Sequence, residues 1–486
     1  MKLNQLTIKQ AQEGLRNKKF SSVELTKACL EQIKKHNPSL NAFITVCEED
    51  ALESAKKADD LVSPGETLEA KPLLGIPIAL KDLFSTKGIK TTAGSKVLEN
   101  YIPPYDATVV KKLKDVGATI IGKTNQDAWG HGSSGENSDF GATKNPWNTE
   151  YVPGGSSSGS AAALAADMCI VSTGTDTGGS LRLPASFCNV VGLKPTYGRV
   201  SRYGIIAMAS SLDSIGHFTK TVEDSAILLN VTAGHDEFDA TTPGVDAQNY
   251  TKNLNNGVKG IKIGVPEEYV AKGLDKNVQT RFEQALKVLE RLGAIIKKVS
   301  LPHTEYGNAA YYIIQPSEVS SNLARYDGIR YGHGREKFGD EAKRRIMLGT
   351  YTLSAGYYDA YYKKAMQVRT LIKKDFSDAF NPSADGVDAI ITPVSPTPPW
   401  KLGEKINDPL KMYLSDVFTV TANLAGIPGL ALPMGFANEL PIGMQILGPQ
   451  FSESLLFQIG HAYEQTTEWN KRKPELNSSL HIGGST

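Results

Sequence analysis

Cysteine is scarce in this chain. Only four occur in 486 residues (Cys29, Cys47, Cys169 and Cys188), with no C-x-x-C pair and no metal-ligand spacing to histidine. That pattern offers neither a disulfide framework nor a zinc module, and it reads as reduced, buried thiols of a cytoplasmic protein. Long apolar runs are also missing. Asp167 interrupts the candidate around 161–171, and Pro428 and Pro433 interrupt the one around 424–436, so none reaches the roughly 18 residues that a membrane helix needs. The first nineteen residues lack the apolar stretch of a signal peptide. Excess charge of one sign is absent as well: 53 Lys+Arg against 52 Asp+Glu leaves +1. A protein whose main task is gripping phosphate backbones usually carries a basic excess. Gly 45 and Pro 25 are ordinary numbers for this length, which excludes collagen-like and low-complexity chains. No internal repeat and no long Ser/Gly linker divides the sequence, so a single large domain is expected.

Apolar periodicity alternates between helix and strand. Ser21 and Glu24 have capping-box spacing, and Val23, Leu25, Cys29, Leu30 and Ile33 recur at helical intervals until Pro38. Residues 48–60 form a second, Ala-rich helix, followed by a loop at Pro64 and Gly65. Residues 73–80 read as a buried strand, despite Pro77. A helix over 107–116 and a strand over 118–122 make half of a βαβ unit. The helix 276–292, with Val278, Phe282, Ala285, Leu286, Leu289 and Leu292 on one face, is flanked by strands at 261–265 and 294–299. Further strands are expected at 388–394 and 442–447, and one long helix over 355–380. The pattern predicts an α/β domain with a mixed, mostly parallel central β-sheet covered by helices on both faces.

Two Gly/Ser-rich loops stand out, at 153–160 and 174–180, and they admit three chemical readings. A phosphate cradle at the start of the helix 160–166 lacks any G-x-x-x-x-G-K-[ST] motif and leaves the second loop unused. Gly155-x-Ser157-x-Gly159 matches a nucleophile elbow formally, but residues 148–153 make a poor preceding strand. The third reading is a serine nucleophile activated by lysine. A lysine acts as a base only when neutral, so its pKa must fall from about 10.4 to near 7. Lys81, at the end of the apolar strand 73–80, is placed for such a shift through burial and neighbouring positive charge. On position alone, however, it is a solvated lysine opening a loop.

The choice is made by a resemblance. Gly75-Ile76-Pro77-Ile78-Ala79-Leu80-Lys81-Asp82, Gly154-Gly155-Ser156-Ser157, Asp176-Thr177-Gly178-Gly179-Ser180 with Arg182 and Pro184, and Gly192-Leu193-Lys194-Pro195-Thr196-Tyr197-Gly198-Arg199 stand in one order. In that order they resemble the motifs of the amidase signature family. The resemblance implies a Lys–Ser–Ser triad. Ser180 would be the acyl-forming nucleophile, Ser156 (on a cis peptide bond) the bridging serine, and Lys81 the base. Backbone N–H groups of Thr177, Gly178 and Gly179 would face the oxyanion, while Asp176, Ser157 and Arg182 would brace the loops. It also implies one amidase domain over 1–486, with a helical N-terminal part (1–60), a catalytic core (70–200) and a substrate-pocket and partner-contacting part (300–430).

The later chain resembles one branch of that family, the glutaminase A subunits of the glutamyl-tRNA(Gln) and aspartyl-tRNA(Asn) amidotransferases. The carriers are Lys343-Arg344-Arg345-Ile346-Met347-Leu348-Gly349-Thr350, the segment 353–362, Asn423-Leu424-Ala425-Gly426-Ile427-Pro428-Gly429 and Pro441-Ile442-Gly443-Met444-Gln445. By this resemblance free glutamine is the substrate, Arg345 clamps its α-carboxylate, Asp416 accepts its α-ammonium, and Tyr311 lines the pocket. No metal and no cofactor is expected in this chain. ATP and Mg would be used by a partner B subunit, which with a small C subunit completes a heterotrimer and binds the misacylated tRNA. A stand-alone amidase for another small amide and a scaffold with a dead site are the alternatives. Read without the family, Arg345 and Asp416 are ordinary ion-pair residues and Tyr357–Tyr362 is a core stripe, the reading kept for those tyrosines. The chain departs from the branch at Asn125-Gln126-Asp127-Ala128-Trp129-Gly130-His131-Gly132-Ser133-Ser134 and at Ser158. His131 replaces an apolar residue and is expected to be packed and hydrogen-bonded.

Overall fold

In a computed structural model, described for residues 2–61, 70–270, 273–328 and 333–476, all eleven strands join one sheet. In chain order they are β1 (Phe43–Val46), β2 (Pro77–Lys81), β3 (Thr119–Thr124), β4 (Val171–Asp176), β5 (Val191–Lys194), β6 (Ser214–Thr219), β7 (Lys262–Pro266), β8 (Ile295–Val299), β9 (Ala389–Pro393), β10 (Gly429–Ala437) and β11 (Leu440–Leu447). Across the sheet the order is β1-β3-β2-β4-β6-β5-β10-β11-β9-β7-β8. The sheet is mixed, as expected, but it is not mostly parallel. β2 pairs parallel with β3 and β4, and β7 with β8 and β9; every other pairing is antiparallel. Part of the reason is the β10–β11 hairpin, which turns on Asn438 (φ 50°) and Glu439 (φ 64°). Two central residues at positive φ make the tight turn that suits strand twist, but Asn-Glu is a weak signal beside Asn-Gly.

Several expected elements are in place. The Ser21/Glu24 capping box is formed on both sides and opens the helix Ser22–Leu40. That helix runs past Pro38 and stops at left-handed Asn41, because a proline in the last turn removes one donor without forbidding the remaining residues. Helix Lys276–Arg291 buries Val278, Phe282, Ala285 and Leu289. Pro77 is the first residue of β2, a position where its missing N–H is tolerated. The helix expected over 355–380 starts only at Lys364, after a wide turn at Asp359–Lys363. Gly356, at φ +88°, breaks the preceding run. As a result Tyr357, Tyr358 and Tyr361 are 40–45% exposed, and Tyr357 and Tyr361 stack on each other and meet the Tyr351 ring at a tilt, at the surface and not in the core. The loop expected at Pro64 and Gly65 lies outside the described residues. All four cysteines are free and buried. No helix among the described residues is long and apolar enough to cross a membrane.

Candidate active site

Parallel strands present their carboxyl ends on one edge, where α/β sheets collect ligands. β2 and β4 are such neighbours, with Ile78 opposite Val171 and Ala79 opposite Ser172. Lys81 therefore ends beside the Asp176–Ser180 loop, and its backbone N–H donates to Thr173 Oγ1 at 3.0 Å. The helix Ser158–Ala165 begins next to it and carries the other Gly/Ser loop, at 153–160, at its front.

Lys81 is completely buried, and its Nζ lies 2.9 Å from Ser156 Oγ, 2.9 Å from Ser157 Oγ and 2.8 Å from Thr175 Oγ1. Burial pushes the amine down to about 7. The charged neighbours are Asp127, Asp176 and Asp213, which oppose that shift; the positive neighbour expected from sequence is not among them. Burial raises Asp127 to about 7 and Asp213 to about 6, which weakens their opposition near neutrality. Ser157 is more than a brace, since its hydroxyl touches the amine and its N–H donates to the Ser180 carbonyl at 3.3 Å. The Gly155–Ser156 peptide is cis.

Ser180 is 8% exposed, and its hydroxyl makes no hydrogen bond among the described residues. The loop that presents it is fastened by Asp176. This carboxylate accepts from the N–H of Gly179 (2.9 Å) and Leu181 (3.1 Å), from Arg182 Nε and Nη2 (both 3.0 Å) and from Asn423 Nδ2 (2.9 Å). Burial works to raise its pKa, but Arg182 and these donors outweigh it and hold the group down to about 2. The Gly179 N–H is thereby spent on Asp176, which corrects the expectation that it faces an oxyanion. The N–H groups of Thr177 and Gly178 donate to nothing among the described residues. Thr419 Oγ1 donates to the Gly178 carbonyl at 2.5 Å and fixes that peptide. Arg182 itself is fully buried and also bonds Gln445 and Asn423, the structural role expected of it.

The three residues expected to hold glutamine come together. Tyr311 packs its ring on Gly178, so closely that a Cβ on that glycine would lie 2.6 Å from Tyr311 Cζ. Asp416 accepts from Ser133 Oγ and from Tyr312 OH, both at 2.8 Å, and burial pushes it up to about 6. Arg345 sits 5.5 Å from the Tyr312 ring and 5.7 Å from Tyr413, two rings stacked at 3.7 Å. Its Nε donates to Glu341 at 2.8 Å, while Nη1 and Nη2 donate to nothing among the described residues. The guanidinium thus has a free fork for a planar anion, opposite a carboxylate suited to a cation. Sequence reasoning missed Thr175, Asp127, Asp213, Ser133 and Tyr312. Tyr312 had one signal, its place directly after Tyr311 on helix Gly307–Asn322. His131 is buried, but neither ring nitrogen has a hydrogen-bond partner among the described residues, against the expectation. Ser158 is accommodated where glycine is usual, its hydroxyl reaching Thr143 Oγ1 at 3.2 Å.

Residues 24–457 match the family model for Amidase. The chain is 53% identical over 491 residues to the glutamyl-tRNA(Gln) amidotransferase A subunit of Carboxydothermus hydrogenoformans, covering 98% of this chain and 100% of that relative. Among solved structures it superimposes on the glutamyl-tRNA(Gln) amidotransferase A subunit of Thermotoga maritima with a TM-score of 0.83 at 46% identity, covering 98% of each chain. The peptide amidase of Stenotrophomonas maltophilia gives a TM-score of 0.81 at 31% identity, covering 97% of this chain and 98% of that one. With its motifs gathered around one buried lysine and its likeness running from end to end, the chain belongs to the amidase signature family.

Proposed function

We propose that this chain is the glutamine-hydrolysing A subunit of a tRNA-dependent amidotransferase. Ser180 Oγ attacks the side-chain amide carbon of glutamine, and its proton passes through the Ser156 hydroxyl to neutral Lys81 Nζ. The N–H groups of Thr177 and Gly178 receive the oxyanion; one such donor is typically worth about 3–4 kcal/mol of barrier. Collapse of the tetrahedral intermediate breaks the C–N bond, and the proton held by Lys81 returns through Ser156 to the leaving nitrogen. Water, deprotonated by the same relay, then frees glutamate from the acyl-enzyme. Arg345 and Asp416 hold the α-carboxylate and α-ammonium, which places the amide at Ser180. Ammonia passes to a B subunit, where ATP and Mg activate the γ-carboxyl of Glu-tRNA(Gln) or the β-carboxyl of Asp-tRNA(Asn), and a C subunit completes the complex.

The observation that carries this reading is the buried amine of Lys81 in contact with Ser156, its pKa lowered to about 7. Full-length likeness to named A subunits supports the choice of substrate and partners. The test is a glutaminase and amidation assay of the purified chain with and without B and C subunits, ATP and misacylated tRNA. Glutamine- and ATP-dependent tRNA amidation is expected only with the partners. Strong turnover of unrelated amides by the chain alone, with glutamine ignored, would instead make it a stand-alone amidase.

A further inference from the structure

We infer that His131 is a substrate-contacting residue whose imidazole donates a hydrogen bond to the α-carboxylate that Arg345 clamps. The inference deepens the glutamine reading above and rests on it. His131 is 1% exposed, and both of its ring nitrogens lack partners among the described residues. Leaving such a group unpaired costs about 1–3 kcal/mol, and native proteins keep few of them. A ligand that supplies the missing partner accounts for the arrangement.

Its neighbours say which ligand group that is. One residue before it, a Cβ on Gly130 would lie 3.7 Å from Ser156 Oγ. Two residues after it, Ser133 holds Asp416 through its hydroxyl and accepts from Gly155 N–H at 2.9 Å through its carbonyl. His131 is thus carried by the loop that spans from the bridging serine to the ammonium acceptor. The charged group that acts on its ring is Arg345; burial first, and then that guanidinium, hold the imidazole well below its ordinary pKa. A neutral ring offers one N–H donor and one acceptor. Arg345 has already given Nε to Glu341, so a carboxylate held by the remaining fork has lone pairs for a further donor. A neutral donor adds no charge that would oppose the α-ammonium at Asp416. Gln315 stands one helical turn beyond Tyr311, and its buried amide is likewise without a partner among the described residues.

The test compares His131→Met and His131→Gln with wild type, assembled with its partners, on glutamine and on 4-aminobutanamide, which lacks the α-carboxylate. His131→Met should raise KM for glutamine about tenfold or more, the size of one hydrogen bond to a charged group, with kcat within about twofold of wild type. Turnover of 4-aminobutanamide should not change, and His131→Gln, which keeps a donor, should recover part of the loss. The melting temperature of His131→Met should hold or rise, since an unpaired polar group has been removed. An unchanged KM for glutamine in the Met variant overturns the inference, as does an equal loss on both amides. A wild-type complex that ignores glutamine altogether overturns the glutaminase reading, and this inference with it.

Discussion

Lys81 Nζ lies 2.9 Å from Ser156 Oγ, and the amine is shut off from solvent entirely. The proton relay follows from that contact. Ser156→Ala and Lys81→Ala should each cut glutamine turnover about 10³-fold or more, because residues acting as a unit fail together. Ser180→Ala should abolish it while B and C subunits still assemble on the chain. Steady-state assays with size-exclusion chromatography check both halves; near-normal turnover in Ser180→Ala removes the nucleophile assignment.

Arg345 separates a glutaminase from a general amidase. Arg345→Ala should lower kcat/KM for glutamine about 10²-fold, the scale of charge-assisted hydrogen bonds to a carboxylate, and spare an amide that lacks a carboxylate. Equal losses on both substrates would mean that the residue serves the fold. Asp416, pushed up to about 6, must be ionised to hold an ammonium, so KM for glutamine should climb as pH falls below that value.

The Asp176–Arg182 pair is fully buried, so removing one partner strands the other. Arg182→Ala should cost about 3–5 kcal/mol of stability, read as a lower urea midpoint, together with loss of activity through the loosened loop. Since the folded pKa of Asp176 is depressed to about 2, its contribution is present above the unfolded carboxylate value and is lost as pH falls towards the folded one. An unchanged midpoint in Arg182→Ala would contradict this.

The nucleophile loop needs glycine at 179. Its φ of +141° is closed to side chains, and a Cβ there would collide with the Thr419 side chain that holds the Gly178 carbonyl. By displacing the neighbouring Gly178 N–H, Gly179→Ala should reduce kcat about 10²-fold, as loss of one oxyanion donor does, with a smaller effect on melting. Wild-type kcat in that variant would show that the loop tolerates displacement.

Much of this was legible in the residues. Period-3.6 spacing placed the helix at Lys276–Arg291, and an apolar run placed β2, while the burial of the lysine that ends it was not legible from position alone. Strands β1, β4, β5, β6 and β10 were not read: β1 and β5 have only four residues, Ser, Thr and Gly interrupt the apolar residues of β4 and β6, and Pro433 breaks the run of β10. The site followed a similar division. Motifs named Lys81, Ser156 and Ser180, but Thr175, Asp213 and Ser133 reach the site through sheet pairing and loop packing that no local pattern records. The source of the lysine's shift was half right: burial acts, and the nearby charges are negative. His131 went the other way, since a lone buried histidine is usually hydrogen-bonded and this one has no partner among the described residues.

The central claim is that a neutral Lys81 draws the proton of Ser180 through Ser156. Rapid-quench mass spectrometry of a single turnover with glutamine, followed across pH, measures it directly. A glutamyl adduct should form on Ser180, at a rate that rises with pH through an ionisation near the value of about 7 given to Lys81 and is flat above it. An adduct on another residue, or a rate still climbing in proportion to hydroxide far above neutrality, would contradict it.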